Sequence, residues 1–199
     1  EEKRLRIDNQ PYMSFQQNMF EKAFADHPYG HTPLGSMEDL NAAQISDFAD
    51  FYETFYVPDN ATLSIAGDID PDEAKELIKK YFSDIEKGSK DIPRPKPAFS
   101  VMNGEMVDTV YDNIQLPAIF LGYRIPGQST KDSYALEMLT TLLSDGQSSR
   151  MYKTLVDGEQ LAIAVQTFPF ALENGGLFVT LGVTNMGVSL GDLKNGIDR

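Results

Sequence analysis

Apolar residues recur along this chain with two periods, and the switches between them divide it into elements. Over residues 12–26, Phe15, Met19, Phe20, Ala23 and Phe24 keep the spacing that lines one buried face of a helix. A second helix is expected from a cap at Asn41 through Tyr56, with Gln44 at the capping-box position and Ile45, Phe48, Ala49, Tyr52, Phe55 and Tyr56 as its stripe. Val57-Pro58 ends it, because the residue before proline disfavours the helical region. Residues 61–66 alternate with period two and read as a strand. Asp70-Pro-Asp-Glu73 then starts a helix that runs to about Phe82: Asp70 caps, Pro71 takes the first helical position, and two acids face the positive end of the dipole.

In the second half, strands are expected over 101–102, 105–111 and 118–124, with a turn at Pro126-Gly127. Residues 131–143 predict an amphipathic helix with Tyr134, Ala135, Met138, Leu139, Leu142 and Leu143 on one face. After the turn at Gly146, Ser148 and Ser149 are placed to cap a helix over 149–156, with Gly158 as its left-handed terminator. Strands over 161–168 and 177–183 flank Asn174-Gly-Gly176, a hairpin signal, and Ser189 opens a last helix. Between the halves, Pro93, Pro95 and Pro97 stiffen residues 87–97 into a linker. The expected fold is α+β. It has two consecutive partial units, residues 1–86 and 98–199, each a mostly antiparallel or mixed sheet with helices on one face.

Composition narrows the function. A hydrophobic share of 41% in 199 residues supports a packed core. The net charge of −13 gives no footprint for nucleic acid or an anionic membrane. No apolar run approaches the roughly 18 residues of a membrane span. With no cysteine, disulfides, thiolate metal sites and a cysteine nucleophile are excluded. His27 and His31 have the spacing of a helical metal pair, but Pro28 and Gly30 lie between them, so a structural or solvated loop is expected. Neither a nucleophile elbow nor a phosphate loop is present. Glu1 and Glu2, read alone, are a solvated pair in a stretch, residues 1–8, that resembles the tail of a helix without a cap.

Several runs in order resemble the pitrilysin and mitochondrial-processing-peptidase family of zinc proteases, the inverzincins. They are Glu1-Glu-Lys-Arg-Leu-Arg-Ile-Asp-Asn9, His27-Pro-Tyr-Gly-His-Thr-Pro-Leu-Gly35, and Phe51-Tyr-Glu-Thr-Phe-Tyr-Val-Pro-Asp-Asn-Ala-Thr-Leu-Ser-Ile-Ala-Gly-Asp68 with Pro71-Asp-Glu-Ala74 after it. In the second half they are Gly122-Tyr-Arg-Ile-Pro126 and Ser148-Ser-Arg-Met-Tyr152. The resemblance implies a zinc held by the two histidines of His-x-x-Glu-His and by a later glutamate in a Glu-Glu-x-Arg segment. Here that segment is Glu1-Glu2-Lys3-Arg4, which makes Glu2 the metal ligand, with Glu1 the alternative register. The His-x-x-Glu-His motif is absent, so no catalytic residue is assigned and no zinc is expected in this chain itself. The implied reading is an internal fragment of a zinc-dependent metalloendopeptidase that cleaves peptides or unfolded segments, with zinc in the parent. The alternative is a non-catalytic partner subunit of a paired processing-type protease. A peptide substrate, a paired homologous subunit or a homodimer, and a periplasmic or cell-envelope location are the further expectations, with the cytoplasm as the other compartment.

Overall fold

β3 (Gly175–Thr184) is the central strand of a three-stranded antiparallel sheet in the order β1-β3-β2, between β1 (Ala118–Pro126) and β2 (Ala162–Ala171). The structure is a computed structural model. It describes residues 1–96 and 98–199, apart from the side chains of Arg6 and Asp8. The chain divides into two compact units, Glu1–Leu34 with Phe99–Arg199, and Gly35–Ala98. The expected α+β class is observed: an antiparallel sheet with helices packed on it. The sheet lies wholly in the first of these units.

Alternation along the strands loads both faces of the sheet. Leu177 and Val179 of β3 point to one side and bury against Phe20, Ala23 and Phe24 of α1 (Ser14–Ala23) and its end. Phe15 stacks on Phe120 at 4.2 Å, and Phe20 meets Phe170 edge-on at 5.7 Å. So the periodicity read over 12–26 lines a buried face as expected, although the helix is shorter, because Tyr12 takes φ +67° before it. The last turn of α1 is tied down by Arg124. Its Nε donates to the Ala23 carbonyl at 2.8 Å, Nη2 reaches the same oxygen, and the guanidinium lies 5.2 Å from the Phe24 ring centroid. A cation on an unpaired carbonyl at a helix C-terminus satisfies both the orphan acceptor and the dipole.

The opposite face packs Ala162 and Val165 of β2 against Met151, Leu155 and Leu193. These come from the segment after Gly146 and from α6 (Leu190–Ile197), which Ser189 caps by accepting the Asp192 N–H at 3.1 Å. One helix thus covers one face, and the remaining helices of this unit cover the other. The hairpin at Asn174 forms, with Leu172 N–H donating to Gly175 O at 3.0 Å. Gly176 is required there: a Cβ on it would lie 1.9 Å from the Phe170 carbonyl oxygen.

Four local expectations are corrected. The helix α5 (Lys131–Ser144) turns a partly polar face to β2. Tyr134 and Met138 are 71% and 75% exposed, whereas Ser133 is buried and Ser144 bonds across to Thr167. Ser144 Oγ accepts the Thr167 N–H at 2.7 Å and lies 2.9 Å from its hydroxyl, so hydrogen bonding rather than apolar area fixes that face. Residues Tyr152–Gly158 wind as a π-helical turn, and Gln160 (φ 54°), not Gly158, takes the left-handed conformation that ends it. Ser148 and Ser149 make no capping bond among the described residues. Ser149 N–H already bonds Gly146 O at 3.2 Å, which carries its side chain inward. Residues 105–111 join no ladder among the described residues.

The unit Gly35–Ala98 holds α2 (Met37–Ala42), α3 (Ile45–Phe55) and α4 (Pro71–Phe82). Ser36 caps α2, its Oγ accepting the Asp39 N–H at 3.0 Å. That helix continues through Asn41, so Asn41 does not start α3. The chain breaks at Ala43, and Gln44 is the cap, its N–H donating to Asp47 Oδ2 at 2.8 Å. The stripe of α3 is exposed: Ile45 is 89% and Phe48 66% accessible. Residues 61–66 pair with no strand among the described residues, so the expected strand is not formed: alternation specifies a face, but a strand needs a neighbour's hydrogen bonds. Asp70 caps α4 as anticipated, accepting from the Asp72 and Glu73 N–H groups at 2.8 and 3.0 Å.

Two predictions follow from these contacts. Ser144→Ala leaves the Thr167 N–H buried and unpaired, and should lower unfolding stability by about 1–3 kcal/mol in denaturant melts. The Asp70 carboxyl is held below its ordinary value by the Glu73 and then the Asp72 backbone N–H groups. A lowered native pKa adds stability above the unfolded-state value and loses it as pH falls through the native one. The start of α4 should therefore fray on acidification through the lower carboxylate range. Amide shifts of Asp72 and Glu73 read the transition, and Asp70→Asn should abolish it.

Candidate functional site

Glu2 lies at the start of a short helical segment, and residues Arg4–Asp8 continue it as a π-helical turn. Both Glu1 and Glu2 are exposed. Lys3, next to them, is turned inward, with Nζ donating to Gln17 Oε1 of α1 at 2.9 Å. That bond fixes the outward direction of its neighbours, because successive helical residues point about 100° apart. The segment is anchored further on by Tyr12, whose hydroxyl donates to Leu116 O at 2.7 Å. Glu2 thus sits on a backbone secured to the sheet-bearing unit.

The histidines do not join it in a metal site. His27 is buried, and its Nδ1 accepts the Tyr29 N–H at 3.1 Å, which caps the turn Pro28–Gly30. Its ring stacks on Phe99 at 4.3 Å and meets Tyr29 edge-on at 4.4 Å. Since Nδ1 accepts, the neutral ring carries its proton on Nε2, which has no hydrogen-bond partner among the described residues. His31 is exposed, with Nδ1 3.3 Å from Thr32 O. The loop reading of this pair is the one that fits these contacts. Among the described residues there is no group of three His, Asp or Glu side chains that could hold a metal. A catalytic zinc takes three protein ligands and a water. Glu2 supplies one oxygen donor, so the residues of this chain do not by themselves fit a zinc ion.

The Ser148-Ser149-Arg150-Met151-Tyr152 run is placed by its apolar members. Met151 and Leu155 are buried against Val165 and Leu193, while Ser148 and Arg150 face outward. A cleft of about 220 Å³ opens elsewhere, between the first half of α5 and the ends of β1 and β2, lined by Ile125, Gln128, Leu136, Glu137 and Pro169 among others. Glu137 is its only ionisable lining group. No helix among the described residues is long and apolar enough to cross a membrane. The polar groups that sequence reasoning missed are Ser144 and Thr167. A serine at the end of an apolar helix and a threonine within a strand carry no signal of their mutual contact.

Comparison with known proteins places these features in a family. A model of the peptidase M16 inactive domain matches residues 42–197. Over 199 residues the chain is 32% identical to the zinc protease PqqE of Helicobacter pylori, covering 99% of this chain and 45% of that protein. An uncharacterised zinc protease of Mycobacterium leprae, ML0855, is 29% identical over 143 residues, 71% of this chain and 32% of the relative. The crystal structure of a protease from Helicobacter pylori superposes with a TM-score of 0.89 at 31% identity, covering 99% of this chain and 48% of that one. The peptidase M16 inactive domain from Pseudomonas fluorescens shares the fold at a TM-score of 0.70 and 15% identity, over 96% of this chain and 46% of that one. The periplasmic protease PqqL of Escherichia coli does so at 0.60 and 18%, over 98% of this chain and 24% of that one. The chain spans less than half the length of these relatives. With the family's domain model matched over most of this chain and a 32% identical relative aligned over 99% of it, this chain belongs to the peptidase M16 family of zinc proteases and pitrilysin-like proteins.

Proposed function

We propose that this chain is part of a zinc metalloendopeptidase that cleaves peptides or unfolded protein segments, and that it is inactive by itself. The observation that carries this reading is its end-to-end similarity, at 32% identity, to a protein named a zinc protease. In the parent, Glu2 would provide one carboxylate oxygen to the metal, and the remaining ligands and the general base would come from residues outside this chain. Zinc so held supplies a bound water of lowered pKa. The part played by this chain is to fix the Glu2 backbone through the Lys3 and Tyr12 bonds, and to present a sheet-bearing surface beside the site. In this reading residues 1–86 close one peptidase-like unit, 87–97 link, and 98–199 open the next. The parent acts in the periplasm or cell envelope, where the fold neighbour PqqL is described.

A second reading is favoured by one observation: the matched family domain is the inactive one. On it, the parent is a non-catalytic subunit paired with an active homologue.

Zinc content and cleavage in the full-length parent separate these, and titration of this chain tests what both share. Calorimetric titration of the 199-residue chain with Zn²⁺ should show no stoichiometric site that Glu2→Gln removes. In the full-length parent, elemental analysis should find one zinc per chain, and chelator should stop cleavage of an unfolded peptide. Glu2→Gln there should lower zinc affinity by about tenfold or more, as loss of a direct ligand requires. A full-length parent that holds no zinc and cleaves nothing, yet co-purifies with a homologue, would select the second reading.

A further inference from the structure

The two outer edges of the sheet are not alike. In antiparallel pairing, alternate residues turn their backbone groups to the neighbour and the others turn them away. Along β2 the outward residues include Thr167 and Pro169, since Leu172 and Gly175 exchange a bond on the inward side. The Thr167 N–H is taken by Ser144 Oγ at 2.7 Å, and proline has no N–H. That edge is blunted against further pairing, as exposed edges commonly are.

β1 differs. Thr184 N–H donates to Pro117 O at 3.0 Å, so by register Ile119, Leu121, Tyr123 and Ile125 face β3. Ala118, Phe120, Gly122 and Arg124 then turn their backbone groups outward, and none of these is hydrogen-bonded among the described residues. An unprotected edge of this length, with a segment of alternating residues shortly before it in the chain, calls for a partner.

We propose that residues 106–112 are a strap poised to close this edge as a fourth, antiparallel strand, with Asp108 opposite Gly122. One ion pair and the packing of β1 set which residues share a face. Asp108 forms an ion pair at 3.3 Å with Lys22 of α1. Gly122 is on that same face, because a Cβ on it would meet Met19 of α1. Ile119, of the same parity as Tyr123, packs instead on the cluster of Met151, Leu155 and Leu193, on the other face. Even positions of the strap therefore belong with Gly122, and odd positions with Tyr123, which is the parity of the proposed register. Ile114 N–H bonds Asp112 O at 2.9 Å, so the chain already turns where a hairpin loop over 113–117 would start. Loops of this length are ordinary between paired strands.

In that register Val107 stands opposite Tyr123, a β-branched–aromatic pairing of the kind that stabilises sheets, and Thr109 stands opposite Leu121. Val107 is 82% and Tyr123 56% exposed, so zipping would remove apolar surface from water as well as pair the backbone. With the strap closed, neither edge offers a template; with it displaced, β1 can pair with another extended chain. This inference is independent of whether the parent is catalytic.

The chain has no cysteine, which permits a clean cross-linking test. Val107→Cys with Tyr123→Cys makes a non-hydrogen-bonded pair, whose Cα separation of about 4.5 Å suits a disulfide. Thr109→Cys with Leu121→Cys is a second pair in the same register. Asp108→Cys with Tyr123→Cys points to opposite faces and is the control. All are made in the 199-residue chain and oxidised under native conditions, with near-ultraviolet circular dichroism as the check on folding. The expected result is an intramolecular disulfide in an in-register pair and none in the control. The amides of Phe120, Gly122 and Arg124 should then exchange about tenfold more slowly or less. Equal cross-linking of control and test, no cross-link in either in-register pair, or unchanged exchange in the cross-linked chain would overturn the proposal.

Discussion

The pairing of β3 on both of its sides is the constraint from which the rest of the sheet-bearing unit follows. A central antiparallel strand has all its backbone groups satisfied, and its alternating side chains must be buried on two faces at once. Leu177 and Val179 demand a cover on one side, and α1 supplies it with Phe20, Ala23 and Phe24. Gly182 on the other side admits the Leu193 side chain of α6, at 3.1 Å from where its Cβ would stand. The helices are therefore placed by what the middle strand needs, and Arg124 and Tyr12 secure the covering segment by bonding to backbone oxygens far away in sequence.

This placement bears on function through the first few residues. Lys3 holds the segment that carries Glu2 to α1 nearby in sequence, and Tyr12 holds it to the Leu116 carbonyl more than a hundred residues later. The fixing of one ligand does not make a metal site. Zinc affinity comes from several donors converging on one point, and the two histidines are used otherwise, one as a cap within an aromatic cluster and one in solvent. The chain belongs to the peptidase M16 family, and the family model it matches is that of the inactive domain.

Much of the helical structure was legible before any coordinate. Asp70-Pro71 marked the start of α4 and Ser189 the start of α6, because capping is local: the side chain bonds an amide two or three residues on. The hairpin at Asn174-Gly-Gly176 was legible for the same reason. Legibility failed where the deciding partner was distant. The buried face of α5 was misread because Ser144 is directed by Thr167, and Ser149 was misread as a cap because its position is set by the turn at Gly146. Residues 61–66 and 105–111 have the alternation of strands, yet alternation records only that two faces differ.

The sequence by itself determined the α+β class, the family and the helix starts at Asp70 and Ser189, since these rest on spacing and on short-range bonds. Only the tertiary structure decided which face of the sheet each helix covers, that the edge of β2 is sealed and that of β1 is open, and that His27 is spent on a turn. Those outcomes depend on hydrogen bonds and packing between residues far apart in the chain, and no local pattern encodes them.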